Sequence, residues 1–237
     1  MHNIKYIYSK ELRSYFNGPM AYIFLVIFSL ITGYFFSNTF FIFGQSDMRA
    51  LFQIVPLVYL FFIPAITMGI ISKEKNTGTM EVMCTLPIKN YEFVIGKYLA
   101  ILTLLKVALL LTGVMFINLV FVGTSIDYGA VFTGYLGLFL AGAVYASMGL
   151  FASSLTDNQV VGFIIAIFFV LIFFLIDKLL IFMPNTIAGT LQYLSIDYHL
   201  SNISRGVLDT RNLIYFFSMI TLFIVLTVES LNSRKWN

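Results

Sequence analysis

The densest run of residues able to make directed contacts is Lys73, Glu74, Lys75, Gly78, Thr79, Met80, Glu81, Met83, Leu86 and Pro87, followed by Gly96 and Lys97. Lys and Glu offer ion pairs, Thr79 a hydroxyl, and the methionines with Val82 and Cys84 a soft apolar surface. Gly78 is a permissible N-cap, with Glu81 at the third helical position, where a carboxylate complements the unpaired amides. Pro87 stops a helix near Leu86. The spacing predicts a two-turn helix, too short to be stable alone in water. Met80, Met83 and Cys84 share one face, and an apolar stripe on so short a helix calls for a protein partner, one that methionine can follow as it moves. This is contact chemistry rather than bond-making chemistry.

The sets that make and break bonds are missing from the sequence. The single cysteine, Cys84, excludes an intramolecular disulfide and a cysteine metal cluster. The two histidines, His2 and His199, lie outside the apolar blocks, and no block holds the serine–histidine, paired-aspartate or zinc-ligand set of an intramembrane protease. Gly96-Lys97 is not a phosphate loop, because Tyr91 stands where its first glycine is needed and Tyr98 where Ser or Thr is needed. Lys97 reads more simply as a positive anchor at the start of a span, and Gly96 as a packing contact or hinge. No enzyme activity, directly bound cofactor or metal is expected, and a formal charge of only +3 points away from nucleic acid.

The elements that position the run are membrane helices. Of 237 residues, 59% are hydrophobic and 11% charged, and the mean hydropathy is +0.92. Too little polar surface is left for a water-soluble globule. Apolar blocks at 20–43, 50–72, 99–122, 129–152, 159–176 and 213–232 each approach the roughly 20 residues a helix needs to cross a bilayer. The first exceeds the core of a signal peptide and is expected to stay in the chain. With six spans and an inner N-terminus, the inner segments hold Lys5, Lys10, Arg13, Lys73, Lys75, Lys89, Lys97, Arg234 and Lys235, against Arg49, Lys178, Arg205 and Arg211 outside. That bias predicts both termini in the cytoplasm. The whole chain, 1–237, reads as one transmembrane domain.

Three segments outside the spans carry structure of their own. In 1–19, Ile4, Ile7, Tyr8, Leu12 and Tyr15 recur at helical spacing before Gly18-Pro19, which predicts an amphipathic helix on membrane lipids. The alternative is a plain polar extension. Glu11, on its apolar edge, fits that face poorly and suits a pair with a basic side chain. The inner segment 73–98 joins the second and third spans. The outer segment 177–212 contains apolar pieces too short to cross, separated at Pro184 and Gly189, which predicts two short re-entrant helices before the last span; a surface loop is the alternative. Within the spans, Gly142, Ala143, Ala146 and Ser147 allow close helix packing. Lys106, inside the third span, is a candidate for an ion path, for snorkelling or for an ion pair.

Glu74-Lys75, Gly78-Thr79-x-Glu81, Leu86-Pro87 and Gly96-Lys97, placed between the second and third of six spans, resemble the permease subunits of ABC-2 type ABC transporters. The resemblance extends over the whole chain. It implies that residues 79–86 form a coupling helix docking into a separate ABC ATPase subunit, with Glu74, Lys75, Gly78, Thr79, Met80, Glu81, Met83, Leu86, Pro87, Gly96 and Lys97 as coupling residues. It further implies a second permease subunit, the same or a companion, possible accessory membrane subunits, and ATP with Mg in the partner ATPase. The location implied is the bacterial cytoplasmic (inner) membrane, and the activity is transport, with export expected. Lys10 to Phe16 with Gly18-Pro19, and Ile203 to Asp209, resemble the gliding-motility-associated branch. The alternative reading is an autonomous secondary transporter or channel, although no span carries the central carboxylate or the internal repeat such a transporter often shows.

Overall fold

Apolar blocks satisfy their own backbone groups by winding into helices, because hydrocarbon offers no other partner. The computed structural model describes residues 2–42, 48–80, 88–122, 127–184, 189 and 191–233, and among them there are helices and turns but no strand. Helix α1 (His2–Asn17) bends at Gly18 into α2 (Pro19–Ser37), where Pro19 takes a first-turn position that needs no N–H. A π-helical turn, Asn38–Ile42, extends α2. Then follow α3 (Arg49–Thr67), α4 (Ser72–Asn76), α5 (Asn90–Val122), α6 (Tyr128–Leu155), α7 (Gln159–Leu179), α8 (Ile196–Ser204) and α9 (Thr210–Ser233). Among the described residues six helices are long and apolar enough to cross a membrane: α2, α3 with α4, α5, α6, α7 and α9. The chain is an all-α membrane protein.

The core forms around α6. Of its apolar window 83% is buried, against 17% in α7 and 22% in α9, so those two face outward while α6 is enclosed. It packs against α3, α5, α7, α8 and α9. Small side chains permit this. A Cβ added at Gly134 would lie 2.2 Å from the Phe52 ring, at Gly142 3.1 Å from Tyr59, and at Gly149 2.0 Å from the Thr67 hydroxyl. The glycines of α6 and their partners on α3 thus recur every second turn, the spacing of a continuous seam between parallel helices. Ala143, Ala146 and Ser147 are buried with Gly142.

One boundary differs from the sequence reading. The third span does not begin near residue 99: α5 starts at Asn90, so the last third of the segment read as an inner connection is helix. Phe93, Val94 and Tyr98 are buried there, and α1 lies against this stretch with Ile7 over Gly96, where an added Cβ would stand 2.8 Å from the Ile7 Cβ. In the outer segment Gln192–Leu194 forms a 3-10 turn, and helix α8 begins at Ile196, capped by Ser195, whose hydroxyl accepts from Tyr198 N at 3.3 Å. Its apolar face, Ile196, Leu200 and Ile203, is buried. Leu200 and Ile203 meet Gly137, nine residues or about 13 Å along α6 from Tyr128, so α8 lies well below that helix's end. Leu180–Phe182 forms a single 3-10 turn that continues α7, and residues 185–188 and 190 lie outside the described residues.

Candidate functional site

At the end of the bundle where α1 lies, polar groups converge on Lys97. Its side chain is 1% exposed. The ammonium stands 2.9 Å from Glu11 Oε1, 2.9 Å from Glu74 Oε2 and 2.8 Å from the Ile70 carbonyl oxygen. The ammonium donates hydrogen bonds to Glu11 Oε1 and the Ile70 carbonyl, while Glu74 Oε2 adds a counter-charge without a hydrogen bond, so the buried cation is compensated by two carboxylates and one carbonyl. The Phe93 ring lies 4.7 Å from the charge. Lys10 closes the set, 3.0 Å from Glu74 Oε1 and 3.8 Å from Glu11 Oε1. Burial pulls the Lys10 ammonium down, but the hydrogen bond and the charge of Glu74 outweigh it and hold its pKa above the usual lysine value. Two cations therefore alternate with two carboxylates across α1, α4 and α5.

The turn from α3 to α4 beside this knot is tied to the rest of the bundle. The Ser153 hydroxyl of α6 accepts from Ile71 N and Ser72 N, each at 3.1 Å, and donates to the Met68 carbonyl at 2.9 Å. Lys75 donates to the Ser154 carbonyl, which also accepts from Ser230 of α9 at 3.2 Å. Tyr15 donates to the Ile66 carbonyl at 3.2 Å. Beyond α4, Gly78 adopts φ +69°, and Thr79 Oγ1 donates back to the Glu74 carbonyl at 3.2 Å. A cavity of about 520 Å³ opens beside the knot, bordered by Lys10, Glu11, Tyr15, Lys73, Glu74 and Lys97 among others. Through Glu74, α4 is ion-paired to both Lys10 of α1 and Lys97 of α5. Among the described residues no three metal-ligating side chains converge.

One residue of the run, Lys97, sits differently from its expected place. Lys97 is not an anchor reaching toward lipid headgroups, because α1 and the α3–α4 turn enclose it and supply its counter-charges. Gly78 follows the end of α4 and directly precedes the helical residues Thr79 and Met80; its N–H bonds the Lys75 carbonyl at 3.2 Å, and the left-handed φ is the conformation glycine adopts most cheaply. Met80 is half-buried against the core. Glu81, Val82, Met83, Cys84, Leu86 and Pro87 lie outside the described residues. Lys10 and the Ile70 carbonyl were not visible as partners in the sequence, whereas the misplaced charge of Glu11 on an apolar face was a usable signal.

The opposite end carries a looser polar group. Lys178 pairs with Asp197 at 2.7 Å and with Asp177 at 3.5 Å, its side chain 54% exposed. The buried His199 places Nδ1 2.7 Å from Asn212 Oδ1 and Nε2 3.0 Å from the Tyr193 carbonyl, stacked on Tyr215. An exposed pair is screened and entropically costly to hold, so Asp197→Asn is expected to change stability by less than about 1 kcal/mol. Thermal unfolding in detergent checks this value, and a larger loss would mean that water does not reach the pair.

Among the described residues, six helices able to cross a membrane surround a glycine-rich core, with an ionic knot at the root of a connecting segment. Residues 49–228 match the family model described as ABC-2 family transporter protein, and the chain belongs to that family. It is a permease of the ABC transporter type, and the membership implies an ABC ATPase subunit as partner. Glu74 and Lys97 fall inside the matched region, while Lys10 and Glu11 precede it. No curated protein matches the chain.

Proposed function

We propose that this chain is the permease half of an ABC exporter, pairing with a second copy or a companion permease and driven by a separate cytoplasmic ATPase. The end bearing α1 and α4 faces the cytoplasm, and α1 lies in the membrane interface there. The inner-membrane location, the export direction, the gliding-motility branch and any accessory membrane subunit rest on the resemblance of the sequence. ATP and Mg act in the partner. Residues 79–86 serve as the docking helix. The observation that carries the coupling role is the Lys97 knot, since Glu74 stands in α4, a few residues before the docking helix, and is ion-paired to the third span. Movement of the docked helix is thereby passed to α5 and α1 together, where a flexible tether would let it dissipate.

The test substitutes Met83 and spares Met80, whose packing on the core would confuse the outcome. Met83→Asp places a carboxylate at the contact, and its burial without a partner is costly. The ATPase is expected to be lost on purification in mild detergent while the permease itself is recovered at the wild-type level. Met83→Ala should weaken the association by about 1–3 kcal/mol if the side chain is a docking anchor. Full retention of the ATPase with undiminished transport-linked hydrolysis in Met83→Asp would remove the docking assignment.

A further inference from the structure

Lys106 projects from α5 nine residues, or about 13 Å, beyond Lys97. It is exposed on the surface of the bundle and has no ionic or hydrogen-bonding side-chain partner among the described residues. Beside it runs a groove of about 650 Å³ between α5 and α6, where Leu109, Leu110, Phe116, Phe132, Phe139 and Tyr128 form much of the wall. This is where α6, enclosed along most of its length, reaches the surface: Phe132 and Tyr128 are exposed, as is Leu110 on α5. A lone cation at membrane depth beside an aromatic trough asks for an occupant that is anionic at one end and apolar along its length.

A second copy of this chain does not meet that need. Its eleven acidic residues include none at the centre of a span, so no self-contact at this depth brings a counter-charge. A membrane phospholipid does. The Cα–Cβ bond of a helical residue leans toward the helix N-terminus, so the Lys106 stem is directed back toward the level of Thr103, one turn away, where α1 reaches α5 through Tyr8 Oη at 3.1 Å from Thr103 Oγ1. We infer that the α5–α6 groove is a binding site for an anionic phospholipid from the leaflet in which α1 lies, its headgroup paired with Lys106 and an acyl chain laid along the groove toward Phe116 and Tyr128.

The test uses the full chain reconstituted in bilayers containing phosphatidylglycerol with a photoactivatable acyl chain, or phosphatidylcholine with the same chain, and peptide mapping after illumination. The anionic probe is expected to label residues 109–116 and 131–139 about fivefold more than the zwitterionic one, the factor that one basic side chain gives against anionic lipid. Lys106→Met should remove that excess and Lys106→Arg should keep it. The exposed position makes both variants compatible with folding, which equal elution volumes and unfolding temperatures confirm. Equal labelling of wild type and Lys106→Met by the anionic probe overturns the proposal. So does a groove that neither probe labels in the assembled complex, because a protein partner then covers it.

Discussion

Lys97→Met is expected to lower the unfolding free energy by about 3–5 kcal/mol, the usual cost of removing one partner from a buried ion pair. The reason lies in what remains. Glu11 and Glu74, 12% and 14% exposed, would lose the cation that stands 2.9 Å from each and would face one another as like charges. Lys10 remains, but it is 59% exposed and stands on the solvent side of both carboxylates, so it offsets only part of the loss. The Ile70 carbonyl loses its side-chain donor at the same time. Lys97→Arg should also destabilise, because a planar guanidinium does not fit a site shaped for a compact ammonium. Neutralising the set with Lys97→Met, Glu11→Gln and Glu74→Gln should recover much of the stability, since a buried pair replaced as a whole is often close to neutral. Unfolding of the purified protein in detergent separates these cases. Coupling gives an independent reading: the triple variant should fold, bind the ATPase and yet transport poorly if the charges carry movement from α4 to α5. An unchanged unfolding temperature in Lys97→Met would refute the structural part of this account.

Gly149→Ala should be the most damaging single methyl addition in the core. The new Cβ would fall 2.0 Å from Thr67 Oγ1 and 2.8 Å from Thr67 Cβ. Thr67 has little freedom to yield: it is fully buried, β-branched, and bonded through its hydroxyl to the Ile63 carbonyl at 2.9 Å. Helices α3 and α6 must then move apart along the seam that also holds Gly134 on Phe52, and overpacking of this kind costs about 1–3 kcal/mol. Thr67→Ala in the Gly149→Ala background should restore part of the loss by removing the hydroxyl and one methyl. Gly142→Ala should cost less, because its nearest neighbour is the flexible end of Leu105 at 2.5 Å. Gly113→Ala supplies the opposite sign. Nothing lies within 4 Å of a Cβ there, and the helix gains about 0.5–1 kcal/mol from the exchange. Unfolding temperatures that fail to rank these variants in the order Gly149→Ala, Gly142→Ala, Gly113→Ala, from lowest to highest, would contradict the seam.

The helical class and the number of spans were legible because crossing hydrocarbon is a demand on composition, met by each segment alone. Gly18-Pro19 marked the α1–α2 break for a similarly local reason, the fixed φ and missing donor of proline. Asn90 to Tyr98 misled because Glu92 and Lys97 read as polar loop. In the fold their charges are satisfied by α1, with Asn3 donating to Glu92 at 3.0 Å, and the stretch winds on as helix.

The sequence by itself determined the membrane helices, the breaks between α1 and α2 and near residue 184, and the presence of small residues in the fourth span. Each is a property of neighbours along the chain. The small residues already placed the fourth span inside the bundle, but tertiary structure alone decided that its glycines meet Phe52, Tyr59 and Thr67, and that Glu11 and Lys97, 86 positions apart, share an ion pair. The physical reason is that an apolar helix has no preferred face in lipid until another helix packs on it. Only close packing along the glycine seam fixes which sides turn inward, and with them which buried charges meet.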